Sequence, residues 1–357
     1  MLVYLFIFSL IIVFLYLSLE SIQLQGLYFS IVVVILILFA GLRGEGVDKD
    51  HFNYVLLFDH VSKYSDFFNF GTEPASIFIP VTLKYLNFYD GYYIVTLIYA
   101  AIALILNYIA IKRFSVFLPA SFLLYYSNYF LLHEMTQIRV GVAVAICILS
   151  INNILNKELS KFLLKILIAC LFHYTAILFV FTYLINFNNF NKNKYLILLL
   201  FSFLVGRYVN IIGVISNLPF LQSVNKIKVY SDLYQVKAED FANPLNLMLL
   251  INLFVSLLVM NKVNLIEDLN MRKCVIIFTK INLIGIISFW LFMKTATIGF
   301  RVSEIYSSVN YISFTYLLVV YEKRYFSYIC LIIAISSLFL GINLFKEQLV
   351  HSYISVF

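Results

Sequence analysis

The chain has 357 residues, of which 63% are hydrophobic and only 12% are charged, and its mean hydropathy is +0.95. Soluble domains average about 45–50% apolar and about 25% charged residues, so this composition excludes a water-soluble globule. The net charge is +7, but no more than two Lys or Arg residues are consecutive. The sequence therefore has no basic cluster that would indicate a nucleic-acid partner. Apolar runs such as 31–39 lack the alternation of barrel strands. We therefore expect an all-α, polytopic integral membrane protein.

About eleven hydrophobic segments approach the roughly 20 residues that a membrane-spanning helix needs. They are 2–19, 26–42, 92–111, 115–132, 136–155, 162–185, 195–215, 244–261, 274–293, 301–320 and 325–345. Segment 2–19 lacks the basic start and the cleavage site of a signal peptide, so we expect it to remain as a membrane helix. Residues 1–357 are predicted to form a single transmembrane domain with two longer loops, 43–91 and 216–243.

The distribution of Lys and Arg predicts the orientation, because cytoplasmic loops carry an excess of these residues. Five short connections are basic, at Lys112–Arg113, Lys157/Lys161, Lys192/Lys194, Lys262/Arg272/Lys273 and Lys323–Arg324. Lys161 and Lys192 flank segment 162–185, so they share a side only if this segment crosses an even number of times. We predict a re-entrant or broken helix that turns near Phe172–His173, the alternative being one 24-residue helix. Both long loops then face outward, and the break implies a cavity around His173.

Ionisable residues in or beside membrane segments are expensive and normally face the protein interior or a water-filled cavity. By the predicted topology, Arg43, Arg139 and Arg301 lie near the outward face. Arginine binds phosphate through a planar fork that stays charged, so several arginines at one depth predict an anion site. The alternative for each is a snorkelling anchor at a helix end.

Three further ionisable residues stand out as candidates for a functional role, His173, Glu134 and Asp50. His173 lies within an apolar stretch, and its alternative role is a neutral side chain bonded to a backbone carbonyl. Glu45, Asp48 and Asp50 are close together, but their spacing is not that of an EF-hand. No nucleotide, hydrolase or metalloprotease motif occurs in the sequence, so we expect no metal and no cofactor.

Five short motifs taken together resemble the EpsG-like branch of Wzy-type polysaccharide polymerases. They are Arg43-(x6)-Asp50-(x3)-Tyr54, Glu73-Pro74, Gln137-Ile-Arg139-(x3)-Ala143, Phe172-His173-Tyr-Thr-Ala176 and Phe300-Arg301-(x4)-Tyr306. The resemblance runs from about residue 40 to about residue 320. The glycine that often precedes the loop aspartate is displaced in this chain, which leaves either Asp48 or Asp50 as the counterpart.

The resemblance implies a multi-pass glycosyltransferase of the bacterial inner membrane that acts at the periplasmic face. Its substrate would be an undecaprenyl-pyrophosphate-linked oligosaccharide repeat of O-antigen or a related surface polysaccharide. Its partners would be membrane lipid, a flippase and a chain-length regulator. Arg139, Arg301 and Arg43 would bind pyrophosphate, with His173, Glu134 or Asp50 as the base. Tyr54, Gln137 and Tyr306 would contact sugar.

Two other classes of function stay open on the sequence. A transporter or lipid-linked oligosaccharide flippase should have similar hydropathy halves and charges in both leaflets, whereas the charges here gather on the outward side. An O-antigen ligase would use the same donor with a different acceptor. An O-acyltransferase would need its membrane histidine to face the cytoplasm, whereas we expect His173 to face outward.

Overall fold

The computed structural model describes residues 1–88, 91–216 and 241–356, and most of the second predicted loop, 216–243, lies outside them. We number the α-helices in chain order. They are α1 Leu2–Glu20, α2 Gln25–Gly41, α3 His51–His60, α4 Phe67–Phe70, α5 Pro74–Tyr85, α6 Tyr92–Phe114, α7 Leu118–Leu124, α8 Ile138–Leu155, α9 Leu159–Phe172, α10 Lys192–Tyr208, α11 Ile211–Ser216, α12 Leu247–Lys262, α13 Leu269–Leu291, α14 Ala296–Ser307, α15 Asn310–Ser313, α16 Leu317–Val320 and α17 Tyr325–Gly341.

Within the described residues, seven helices are long and apolar enough to cross a membrane. They are Leu2–Glu20, Ile22–Gly41, Tyr92–Phe114, Ile138–Leu155, Leu247–Leu265, Leu269–Leu291 and Glu322–Lys346. The predicted all-α, polytopic membrane fold is confirmed. Seven of the eleven predicted hydrophobic segments correspond to these uninterrupted helices.

The other four predicted segments are not regular α-helices throughout. Segment 115–132 folds as α7, which continues directly into a π-helix over Tyr125–Glu134. Segment 195–215 is divided between α10 and α11, and segment 301–320 is divided among α14, α15 and α16. Serine, threonine and asparagine are frequent in 301–320, and their short polar side chains compete with the backbone for hydrogen bonds. The expectation of one helix per segment is therefore wrong for 195–215 and 301–320.

Segment 162–185 forms a helical hairpin. Helix α9 ends at Phe172, His173 has extended backbone angles of φ −154° and ψ 124°, and a 3₁₀-helix follows over Tyr174–Leu184. The ring of Phe162, at the start of α9, lies 5.2 Å from the ring of Tyr183. The two arms are therefore antiparallel. The break predicted near Phe172–His173 is confirmed, and the alternative of a single 24-residue helix is excluded.

The described residues cluster into two compact units, Met1–Tyr183 with Phe314–Phe357 and Leu184–Ser313. In the first unit, α6 packs between α2 and α8, while α9 packs on α8 and α5. In the second unit, α13 packs against α10, α12 and α14. The amides of Asn252 and Asn282 bond to each other across α12 and α13, at 3.1 and 2.6 Å. Such polar pairs hold membrane helices together where apolar contact gives little preference for one partner.

The ammonium group of Lys280, in the second unit, is held by backbone carbonyl oxygens and lies near two aromatic rings. Its Nζ donates 2.6 Å to the carbonyl oxygen of Asn189 and also bonds the carbonyl oxygen of Asn186. The rings of Phe190 and Tyr195 each lie 5.7 Å from the same ammonium group. Lys280 therefore fixes the turn that precedes α10.

The C-terminal segment, residues 349–356, pairs with the start of the first loop. Gly44 N donates 2.7 Å to Ile354 O, and Val356 N donates 3.0 Å to Leu42 O. The Tyr353 ring stacks on Phe39 at 4.1 Å between centroids. A Cβ at position 44 would come 3.1 Å from Ile354 O, so a larger residue here would push the two backbones slightly apart. We call residues 349–356 the C-terminal strap.

Substituting Gly141 with Ala is expected to destabilise the protein by about 1–3 kcal/mol, because a Cβ on α8 would overlap Glu134 Oε2 and displace a buried carboxylate that Tyr125 and Asn107 hold through its other oxygen. Thermal unfolding in detergent measures the loss. Gly341→Ala is the matched control, since its Cβ would have no atom within 4 Å. Equal melting temperatures for Gly141→Ala and the wild type would contradict this packing.

Candidate active site

Three charged or titratable side chains from separate elements meet in the first unit. Arg139 Nη1 donates to Glu73 Oε2 at 2.5 Å, and His173 Nδ1 lies 2.8 Å from Glu73 Oε1. Thr72 Oγ1 also donates to Glu73 Oε2, at 3.1 Å. Glu73 therefore connects the predicted phosphate ligand Arg139 to the predicted base His173. We call Arg139, Glu73 and His173 the site triad.

The local structure explains why these three residues meet. Glu73 directly precedes α5, whose first residue is Pro74 and lacks the N–H that a helix start leaves unbonded. Arg139 is the second residue of α8, and His173 occupies the hairpin turn after α9. Because α9 packs on both α8 and α5, the helix break brings the imidazole to the start of α5.

Two tyrosines border the site triad. Arg139 lies over the ring of Tyr54, with its guanidinium carbon 5.5 Å from the ring centroid, and Tyr174 OH donates 2.9 Å to Thr72 O. The Arg139 side chain is 28% exposed, whereas that of Glu73 is 8% exposed. The arginine therefore reaches the surface while the carboxylate that holds it stays covered. Tyr54, predicted to contact sugar, lies beside the group predicted to bind pyrophosphate.

Burial alone would raise the pKa of Glu73, but the hydrogen bond with His173 and the charge of Arg139 outweigh burial. Together they lower the pKa of Glu73 from 4.5 to about 2. The carboxylate is therefore ionised at every pH at which a cell works. It can orient a neutral imidazole and stabilise a charged one.

The depressed pKa of Glu73 predicts an acid-dependent loss of stability. Its contribution, on the order of 3 kcal/mol, is fully present above pH 4.5 and is lost as the pH falls from 4.5 towards 2. Thermal unfolding between pH 6 and pH 3 should therefore fall more steeply in the wild type than in Glu73→Gln, which cannot titrate there. If the stability of the two proteins depends on pH in the same way, the lowered pKa of Glu73 is refuted.

Arg43 is buried and neutralised. Its Nε donates 2.7 Å to Asp48 Oδ2 and its Nη1 donates 2.6 Å to Ala40 O, while the whole residue is 1% exposed. Asp48 is thus the aspartate that pairs with Arg43, and Asp50 lies at the start of α3 with its backbone N–H on Asp48 Oδ1. The next residue, His51, is buried as well, and burial lowers its pKa. Arg43 and Asp48 thus bond to each other, to the Ala40 carbonyl oxygen and to the Asp50 backbone N–H.

Removing Asp48 should cost far more stability than removing Asp50. Asp48→Ala leaves the guanidinium of Arg43 buried without its counter-ion, for which a loss of about 3–5 kcal/mol is typical. Asp50→Ala removes an acid from a helix start and should cost at most about 1 kcal/mol. Chemical or thermal unfolding of both variants checks this order, and the reverse order would overturn the pairing.

Glu134 is buried behind the site at the end of the π-helix. Its Oε1 accepts hydrogen bonds from Tyr125 OH and, at 3.3 Å, from Asn107 Nδ2. Its Oε2 has no hydrogen-bond partner within 1–88, 91–216 and 241–356. Gln137 lies between Glu134 and Arg139, directly before α8. The structure thus gives Glu134 a hydroxyl and an amide as partners instead of the triad.

The other two predicted ligands belong to the second unit. Arg301 and Tyr306 both lie on α14, where Arg301 is exposed and Tyr306 is 4% exposed. Of the nine predicted site residues, the first unit therefore holds seven, and three of these, Arg139, His173 and Tyr54, gather around Glu73.

The family model named EpsG family matches residues 26–355. The chain belongs to the EpsG family. No curated protein and no solved structure matches it. The family resemblance is therefore confirmed, and it makes this chain a polysaccharide-polymerase-like membrane protein of the glycosyltransferase type.

Glu73 is the residue of this EpsG-family protein that we did not predict as part of the site. The sequence contained a signal for it, since Glu73-Pro74 is one of the motifs shared with the family. An acid before a proline is also an ordinary helix start, and sequence gives no indication that α9 breaks against it. Among the described residues of the EpsG-family chain, no group of three or more His, Cys, Asp or Glu side chains could hold a metal ion.

Proposed function

We propose that this EpsG-family protein polymerises undecaprenyl-pyrophosphate-linked oligosaccharide repeats at the periplasmic face of the bacterial inner membrane. The growing glycan would move from its lipid pyrophosphate to the next lipid-linked repeat. The observation that carries the proposal is the site triad, in which one buried carboxylate contacts both a half-buried arginine and a histidine. A flippase would supply the repeats, and a chain-length regulator would be a further partner.

The proposed reaction breaks the bond between the anomeric carbon and a pyrophosphate oxygen. The acceptor hydroxyl oxygen bonds to that carbon, its proton goes to a base, and undecaprenyl pyrophosphate leaves with the bonding electrons. Negative charge develops on the leaving oxygen, where a fixed cation lowers the barrier. Arg139 supplies that cation because its guanidinium is held by Glu73 and reaches the surface.

His173 is the base in this proposal. Its Nδ1 lies 2.8 Å from Glu73 Oε1, and in the proposed role it carries the proton while Nε2 carries the lone pair. Nε2 could then accept the proton of the acceptor hydroxyl, and the ionised Glu73 would stabilise the imidazolium that forms. Glu134 and Asp50 are less suited, because Glu134 is enclosed by Tyr125 and Asn107 and Asp50 lies beside Asp48.

The remaining predicted residues take supporting roles. We propose Arg301 as a second pyrophosphate ligand, with Tyr54, Gln137 and Tyr306 as sugar contacts. The burial of Arg43 beside Asp48 favours a role in holding the first loop over direct contact with pyrophosphate.

Deletion of the gene followed by electrophoresis of surface polysaccharide tests the proposal. Loss of a polymerase leaves anchors that carry a single repeat. Loss of a ligase leaves bare anchors with polymer still on its carrier, and loss of a flippase leaves unpolymerised precursor inside the cell. Long-chain ladders that persist in the deletion strain would end the proposal.

A further inference from the structure

We infer that Thr72 is a positioning residue for Arg139, and that its hydroxyl group sets which edge of the guanidinium is open to a phosphate. This inference rests on the proposed function and adds a residue to its site. The carrying observation is a closed set of hydrogen bonds. Arg139 Nη1 donates to Thr72 Oγ1 at 3.1 Å and to Glu73 Oε2 at 2.5 Å, and Thr72 Oγ1 donates 3.1 Å to Glu73 Oε2. Two acceptors on one nitrogen fix the direction of the guanidinium better than the carboxylate alone.

The distribution of donors on the guanidinium explains what this arrangement does. An arginine side chain carries N–H donors on Nε, Nη1 and Nη2, in a rigid planar fork. Thr72 and Glu73 both bind Nη1, so a phosphate must bind through the other two nitrogens. A turn of the guanidinium in its plane would exchange these nitrogens, and the second acceptor on Nη1 opposes that turn.

The Thr72 hydroxyl plays this role without contacting substrate. Its hydrogen is donated to the carboxylate of Glu73, and its oxygen accepts from Arg139. No hydrogen of this hydroxyl is left for a phosphate oxygen or a sugar. Thr72 therefore acts through Arg139 and is not itself a catalytic residue.

The backbone of Thr72 is held as well. Thr72 lies between Gly71, which has a φ of +59°, and Glu73, which directly precedes α5. Tyr174 OH donates 2.9 Å to the Thr72 carbonyl oxygen, and Tyr174 directly follows His173 in the hairpin. The residue that orients the proposed cation is thus tied to the turn that carries the proposed base.

Thr72→Val tests the inference, because valine keeps the shape of threonine and removes the hydroxyl. Arg139 and Glu73 can still bond to each other in this variant, and position 72 is only half-buried, so we expect the protein to fold. We expect kcat/KM for the lipid-linked repeat to fall about 10-fold, the size typical when one hydrogen bond to a charged group is lost. Thr72→Ser restores the hydroxyl and should restore most of the rate. Thr82→Val, at an exposed position of α5, is the matched control and should keep the wild-type rate.

The double variant Thr72→Val/Arg139→Ala adds a readout that a purely structural role would not move. If Thr72 acts through Arg139, the double variant is as active as Arg139→Ala alone, because the effects of residues that act as a unit do not add. A further loss of about 10-fold in the double variant would overturn the inference. A wild-type rate for Thr72→Val, or no recovery in Thr72→Ser, would do the same, while the polymerase proposal stands.

Farnesyl pyrophosphate, a short prenyl pyrophosphate, separates failure of the polymerase proposal from failure of this inference. If the wild type extends no chain, the thermal shift that this compound causes in detergent decides. A shift that is smaller in Thr72→Val than in the wild type and in Thr72→Ser keeps the positioning role of Thr72, and the polymerase proposal fails. Equal shifts in the three proteins, or no shift in any of them, would end both.

Discussion

Glu73→Gln is expected to reduce polymer formation by at least about 10²-fold, although the side chain keeps its size. The amide cannot neutralise Arg139, and its NH₂ group can turn towards His173 Nδ1, where it favours the wrong tautomer. General-base catalysis contributes about 10²–10⁴-fold, and this substitution removes the group that fixes the base. Initial rates of chain extension on a purified lipid-linked repeat measure the effect.

The matched control for this variant is Glu45→Gln, which removes the charge of an exposed acid in the same loop. This control should retain near wild-type rates. The values of kcat and KM are measured separately, because loss of a positioned base lowers kcat, whereas a purely structural role lowers the amount of folded protein. A wild-type kcat would show that Glu73 does not act on the base.

Arg139→Ala should lower kcat/KM by about 10²–10³-fold, the loss typical when one group that stabilises developing charge is removed. Arg139→Lys keeps the charge but loses the fork that bonds Glu73 and can pair with phosphate oxygens. We therefore expect it to recover only part of the activity. Kinetics of both variants against donor concentration distinguish the two contributions.

Arg113→Ala is the control for these arginine variants, because Arg113 is an exposed basic residue at the end of α6. It should form polymer normally. Protein amount in the membrane is measured in parallel, so that a missing polymer is not confused with a missing protein. Normal polymer from Arg139→Ala would remove Arg139 from the pyrophosphate site.

The hairpin at 162–185 could be predicted because two independent patterns agree on it. The positive-inside rule predicts Lys161 and Lys192 on the same side, which favours an even number of crossings, and His173 interrupts the apolar run. The π-helix in 115–132 and the breaks in 301–320 could not be predicted in the same way. Hydropathy averages over a window and does not register how serines or a π-helix change the backbone path.

The site was predicted in part for a similar reason. Arg139, His173 and Tyr54 stand out because charged and aromatic groups near apolar segments are conspicuous. Glu73 does not, since its role depends on which helices pack together. The pairing of Arg43 with Asp48 instead of Asp50 depends on a turn of the chain that residue order does not fix.

The C-terminal strap couples two stretches of the chain that are far apart in sequence. The start of the first loop takes its paired form only when Leu42 and Gly44 meet Val356 and Ile354. Displacing the strap, by proteolysis or by a bulky tag, would therefore release the backbone that leads from Arg43 towards Tyr54, although every side chain of the loop is unchanged. The order of the first loop thus depends on residues that its own sequence does not contain.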